Sequence, residues 1–156
     1  MEPRANFFEL SSDSVKKLVE LSQVKNSLDH AMKNLIDIRA SQINGCTFCL
    51  DMHMKQAKLR GEKELRLYHT SVWRESSLFT PKERAILELT ELATKLTPEG
   101  ISDADYKRLQ LDLSDKEISD ALFQIGIINT WNRLNVVFRN AHGSMDKAFG
   151  LDKAGL

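Results

Sequence analysis

Apolar residues along the chain recur at intervals of three and four, and no run of alternating β-branched residues reaches strand length. The pattern is helical from end to end. Val15, Leu18, Val19 and Leu21 form a first stripe after Ser12-Asp13-Ser14. Ala31, Met32, Leu35, Ile36 and Ile38 form a second, which Ser27 is placed to cap and Asn44-Gly45 to break. A third predicted helix runs from about Thr47 to Arg60, with Gly61 suited to the left-handed conformation that closes a helix. Leu65 to Glu75 reads as one or two short helical pieces.

Two segments announce helix starts more strongly. Thr80-Pro81-Lys82-Glu83 and Ser114-Asp115-Lys116-Glu117 are capping boxes, the first with proline at the first helical position. The helix after Thr80 should bury Ala85, Ile86, Leu89 and Ala93 and stop at the turn Thr97-Pro98-Glu99-Gly100. Ser102 is placed to cap a short helix holding Tyr106 and Leu109. The helix after Ser114 should reach about Asn140. Ile118, Leu122, Ile125 and Val136 lie on one of its faces, while Phe123, Ile127, Trp131, Leu134 and Phe138 lie elsewhere around its axis, so partners must cover it from several directions. That places it in the middle of a bundle, at a subunit interface, or both, and predicts a homo-oligomer. Asn129 and Asn132 share the apolar face and are expected to bond to a neighbouring helix. Trp73, Phe79 and Trp131 are expected as core or interface anchors.

A length of 156 residues with 42% hydrophobic content suits one packed domain spanning 1–156. Acidic and basic residues balance at 22 each, which favours neither nucleic acid nor an acidic membrane as a partner. The most apolar stretch, 121–138, is interrupted by Gln124, Asn129, Asn132, Arg133 and Asn135 and is too polar for a membrane span. The first residues carry an early acidic group and no long apolar run, so a cytoplasmic protein is expected.

The two cysteines, Cys46 and Cys49, are spaced C-x-x-C and followed by His53. If the chain becomes helical at Cys46, residues three and four apart are neighbours, so Cys46 lies beside Cys49 and Cys49 beside His53. Cα atoms three apart on a helix are roughly 5 Å from one another, a span a disulfide tolerates, so the pair can open and close without refolding. Only a thiolate attacks a peroxide or a disulfide. The unpaired N–H groups of the first turn favour that form, and His53 can accept the Cys49 proton. Cys49 is the better nucleophile candidate, with Cys46 resolving its sulfenic acid. A different reading uses the same three residues in a helical metal-binding or redox-sensing module without turnover, with His30, His69 or His142 as a fourth ligand. The lack of a preceding strand argues against a thioredoxin fold.

Ser41 to His53, followed by Gly61, resembles the core motif of the AhpD-like alkylhydroperoxidases of the carboxymuconolactone decarboxylase superfamily. The resemblance continues through Val72-Trp73-Arg74-Glu75, 79–85 and 131–135, covering roughly 30–140. It implies an all-α bundle with the C-x-x-C at the N-terminus of a central helix, and reduction of small alkyl hydroperoxides by the cysteine pair. It also implies regeneration by an external dithiol without a bound cofactor, and rings of three or six subunits. By position, Cys49 matches the peroxidatic cysteine, Cys46 the resolving one and His53 the proton-transfer partner. The family's relay glutamate stands twelve residues before the first cysteine, where this chain has Asn34. An amide cannot ionise, so that arm of the relay is missing here. Asp37, one turn later, is the candidate substitute, and Asn132 a candidate pocket residue.

Overall fold

A computed structural model of the chain describes residues 2–155 and, among them, contains helices and no strand. The helices are α1 (Phe7–Leu10), α2 (Ser12–Ser22), α3 (His30–Asn44), α4 (Thr47–Leu59), α5 (Glu64–His69), α6 (Pro81–Thr94), α7 (Asp103–Leu109), α8 (Asp115–Phe138) and α9 (Asp146–Phe149). Short 3₁₀ turns follow α5, at Thr70–Glu75, and α9, at Leu151–Lys153. None is long and apolar enough to cross a membrane.

Both capping boxes form: the Thr80 and Ser114 side chains accept from the backbone of Glu83 and Glu117, whose carboxylates reach back to the cap N–H groups. Gly45 closes α3 with φ +65°, the left-handed geometry its position predicts. Ser27, however, caps nothing. Asp29 caps α3 by accepting from Met32 N, and Ser27 instead donates to Asp120 on α8, a contact between residues far apart in the chain.

Helix α3 is the axle of the bundle, packed against α4, α6 and α8. Met32, Ile36 and Ala40 from α3 meet Phe48 of α4, Ile86 and Leu89 of α6 and Ile118, Ala121, Ile125 and Ile128 of α8 in one core. Trp73 and Phe79 are buried in a second cluster with Leu35 and Leu87. Part of α8 stays uncovered in the single chain: Leu122, Phe123, Val136 and Val137 are exposed. The α2 stripe behaves likewise, with Val19 and Leu21 exposed and no residue of that helix buried. The short α1, which lacks a clear periodic signature, packs Phe7 and Phe8 against Trp131 and Phe7 against Phe138. It thereby brings Phe8 to the wall of a cavity in the bundle.

Candidate active site

The turn between α3 and α4 creates the site. After Gly45, the chain turns and Cys46 N donates to Ser41 O at 3.0 Å, fixing Cys46 as the N-cap of α4. A cysteine is an unusual cap, since its sulfur accepts weakly. Here it accepts from Cys49 N at 3.3 Å. That contact puts the two side chains on one side of the first turn, where their sulfurs are within bonding distance as a disulfide with Cα atoms 5.4 Å apart. Each cysteine is 1% exposed, so any reactant must come through a cavity.

Cys49 lines one such cavity, of about 360 Å³, between α2, α3, α4 and α8. His53, one turn further along α4, lines it too, as do Asn34 and Asp37 from α3. His53 Nδ1 lies 3.1 Å from Gln56 Oε1 and 3.6 Å from Asp37 Oδ2. Phe8, Phe48, Trp131 and Phe149 give the cavity an aromatic wall, while Lys33 and Arg60 bring positive charge to it.

Asp37 is the acidic group of the cavity wall and is only 7% exposed. Burial pushes its carboxyl above the ordinary value for aspartate; His53, a hydrogen bond from Gln124, Arg60 and Lys33 pull the other way without prevailing. Gln124 Nε2 donates to Asp37 Oδ1 at 2.7 Å, leaving Oδ2 directed at His53. Asp37 and His53 are thereby paired on the wall of the cavity that Cys49 also lines. Asn34 stands outside that pair. Its Oδ1 accepts from Arg60 Nη1 at 3.0 Å.

Asn132 is fully buried but bonded away from the sulfurs. Its Nδ2 donates to Ser41 Oγ at 3.0 Å, and Asn44 Nδ2 donates to both Asn132 Oδ1, at 2.9 Å, and Asn129 Oδ1, at 2.6 Å. This is an interhelical amide ladder between α3 and α8. The amide that does face the thiols is Asn135, one turn along, whose Nδ2 lies 3.6 Å from Cys49 Sγ. Its place is fixed by Trp131 O, which accepts from the same Nδ2 at 2.9 Å, and by Asn140, which donates to its Oδ1 at 2.8 Å. Asn135 and Gln124 were legible only as polar interruptions of an apolar helix. Of the other histidines, His30 lines the cavity of Cys49, His142 lies with Cys46 on a second cavity, and His69 meets Ser76 Oγ at 3.0 Å. Among the described residues no group of three or more His, Cys, Asp or Glu side chains is arranged to hold a metal ion.

A family model, that of the carboxymuconolactone decarboxylase family, matches residues 15–92, a span that includes Asp37, both cysteines and His53. The uncharacterized protein YdfG of Bacillus subtilis (strain 168) is 32% identical over 146 residues, covering 92% of this chain and 99% of that protein. Among solved structures, a protein of unknown function from Agrobacterium tumefaciens, whose name couples it to the antioxidant defence protein AhpD, matches with a TM-score of 0.83. It is 39% identical, and the match covers 90% of this chain and 98% of that one. The debrominase Bmp8 shares the fold, with a TM-score of 0.74 over 94% of this chain and 80% of its own at 18% identity.

Proposed function

The chain belongs to the carboxymuconolactone decarboxylase family as an AhpD-like member, and from that premise we propose that it is a cysteine-based peroxidase reducing small organic hydroperoxides. The observation that carries this reading is the placement of Cys49 on an apolar-walled cavity beside His53 and Asp37, with Cys46 in disulfide reach behind it.

The reduced pair starts the cycle. His53 takes and holds the Cys49 proton, Asp37 stabilises the resulting imidazolium, and the Asn135 amide donates to the thiolate. The thiolate attacks the terminal oxygen of the hydroperoxide, the O–O bond breaks, and the alkoxide leaves with the proton held on His53, giving an alcohol and a sulfenic acid on Cys49. Cys46, as thiolate, then attacks Cys49 Sγ. Hydroxide leaves, takes up a proton as water, and the disulfide closes. An external dithiol supplies two electrons and two protons to reopen it. No bound cofactor enters this scheme.

The test is the first half-reaction. Protein reduced and freed of excess thiol should consume one equivalent of a small alkyl hydroperoxide, lose two titratable thiols and release one equivalent of alcohol. With a dithiol present it should turn over. A protein that oxidises once but never turns over with any dithiol would instead be a sensor. One that holds stoichiometric zinc when purified reduced would return the metal-site reading. A brominated pyrrole belongs beside the hydroperoxides in this assay, because the fold also carries a debrominase. Bromide release without peroxide consumption would sink the peroxidase assignment.

A further inference from the structure

The two sulfurs open onto different cavities. Cys49 lines the one described above, whereas Cys46 lines a second, of about 390 Å³, where the start of α4 meets the end of α8 and the residues after it. Phe48 and Asn135 are the residues that line both, and both are buried, so these two side chains form the partition.

The chemistry of the two cavities differs as well. The first sets the Asp37 carboxyl among Lys33, Arg60, His30 and His53, so both signs of charge line it. The second is lined by Arg139 and His142 with no acidic residue among its lining groups. Arg139 is the C-cap of α8 with φ +60°, and among the described residues it is the non-glycine residue with positive φ. Turn geometry alone would favour glycine or asparagine there. The chain keeps a guanidinium at a position that disfavours it.

Thiol–disulfide exchange requires a thiolate to attack one sulfur while the other leaves, and the better leaving sulfur is the one whose thiolate is better stabilised. Attack on Cys46 expels Cys49, which has the Asn135 side-chain amide beside its sulfur and His53 on the same cavity to return a proton, where Cys46 has the backbone N–H of Cys49 as its donor. Attack on Cys49 would expel Cys46 and would need the reductant to occupy the peroxide cavity. We infer that the reductant reaches Cys46 Sγ through the second cavity, separately from the hydroperoxide, and that it is a dithiol carrying an acidic group attracted by Arg139 and His142. This rests on the peroxidase reading. The first dithiol sulfur, as thiolate, bonds to Cys46 and Cys49 leaves as thiolate. The second dithiol sulfur, after losing its proton, attacks the first, closes the reductant's own disulfide and releases Cys46, and the two protons lost by the reductant restore the two cysteine thiols.

The experiment separates the half-reactions. Oxidation is timed by mixing pre-reduced protein with an alkyl hydroperoxide, and reduction by mixing pre-formed disulfide with dithiothreitol, which is neutral, or dimercaptosuccinate, which carries two carboxylates. Ala141→Trp, at the exposed rim of the second cavity, should slow reduction by both dithiols roughly tenfold or more and leave the oxidation rate at the wild-type value. Thr47→Trp, exposed on the same cavity, serves if the first variant misfolds. Val19→Trp, at the other cavity, should slow oxidation and leave reduction alone. Arg139→Asn, which tolerates the left-handed conformation, should slow dimercaptosuccinate about threefold or more relative to dithiothreitol. Unchanged reduction in both second-cavity variants, or reduction slowed by Val19→Trp, would show that the reductant shares the peroxide entrance. Equal effects of Arg139→Asn on the two dithiols would remove the acidic group from the proposal. Failure of pre-reduced wild type to react with any hydroperoxide would defeat the peroxidase reading instead, while the reduction rates would still locate the entrance.

Discussion

Asp37 Oδ2 lies 3.6 Å from His53 Nδ1, so the carboxylate that faces this imidazole stands at position 37, one turn of α3 beyond Asn34. Gln124 on α8 orients it. Replacing it with the isosteric amide should lower the rate of peroxide attack by roughly 10²-fold, the low end of what general acid–base assistance contributes. Stability should move the opposite way. Because burial raises the Asp37 pKa in the folded protein above its ordinary 3.8, its contribution to stability is fully present below that value and is lost as pH rises through the folded value. At pH 7 the titratable carboxyl is therefore a cost relative to an uncharged group, and Asp37→Asn should raise the thermal midpoint there, with the gain vanishing near pH 3. A variant that is both fully active and less stable at pH 7 would contradict this account.

Asn34→Glu should not rescue anything. The Asn34 side chain is already committed to Arg60, so a carboxylate there would pair with that guanidinium rather than with His53. It would also add a negative charge one turn from Asp37 and push that carboxyl further up. Steady-state turnover should stay within about twofold of wild type or fall. A tenfold gain would mean that the sequence-based expectation of a missing relay was right and that Asp37 is a spectator.

Local signals in the sequence were enough for the helix starts at Thr80 and Ser114, because a capping box is complete within four residues and needs no partner elsewhere. Ser27 failed as a cap for the opposite reason: Asp120, on another helix, outcompetes the local use of its hydroxyl. The same limit separates Asn132 from Asn135. Both interrupt one apolar helix three residues apart, and only the rotation of α8 against α3 and α4 decides which amide meets Ser41 and which meets Cys49. The C-x-x-C-x-x-x-H core was legible because its members are helical neighbours. Asp37 reaches them only through packing, so its sequence signature is that of any acidic residue on a helix.

The uncovered apolar residues of α8 should be covered by other copies of the chain. Leu122 and Phe123, with Leu18 and Leu21 of α2, line an apolar groove that none of the described residues fills. Light scattering at micromolar concentration should give a multiple of 17.8 kDa, and Phe123→Asp should shift the population toward that monomer mass by placing a charge on the groove. A wild-type monomer would overturn this expectation without touching the chemistry of the site.

The cysteines should behave asymmetrically, since Cys49 alone shares the peroxide cavity with His53 and has the Asn135 amide beside its sulfur. Cys49→Ser should abolish peroxide reduction. Cys46→Ser should consume about one equivalent and stop as a sulfenic acid on Cys49, trapped by a dimedone-type probe small enough to enter the cavity. His53→Ala should slow that first step, because the Cys49 proton loses its acceptor and Asp37 loses the group it acts through, yet a strong oxidant should still close the disulfide. Combining His53→Ala with Asp37→Asn should then cost little more than His53→Ala alone, since a carboxyl that works only through the imidazole has nothing left to assist. Additive losses would give Asp37 an independent role. A sulfenic acid trapped on Cys46 in the Cys49→Ser protein would reverse the assignment of the two sulfurs.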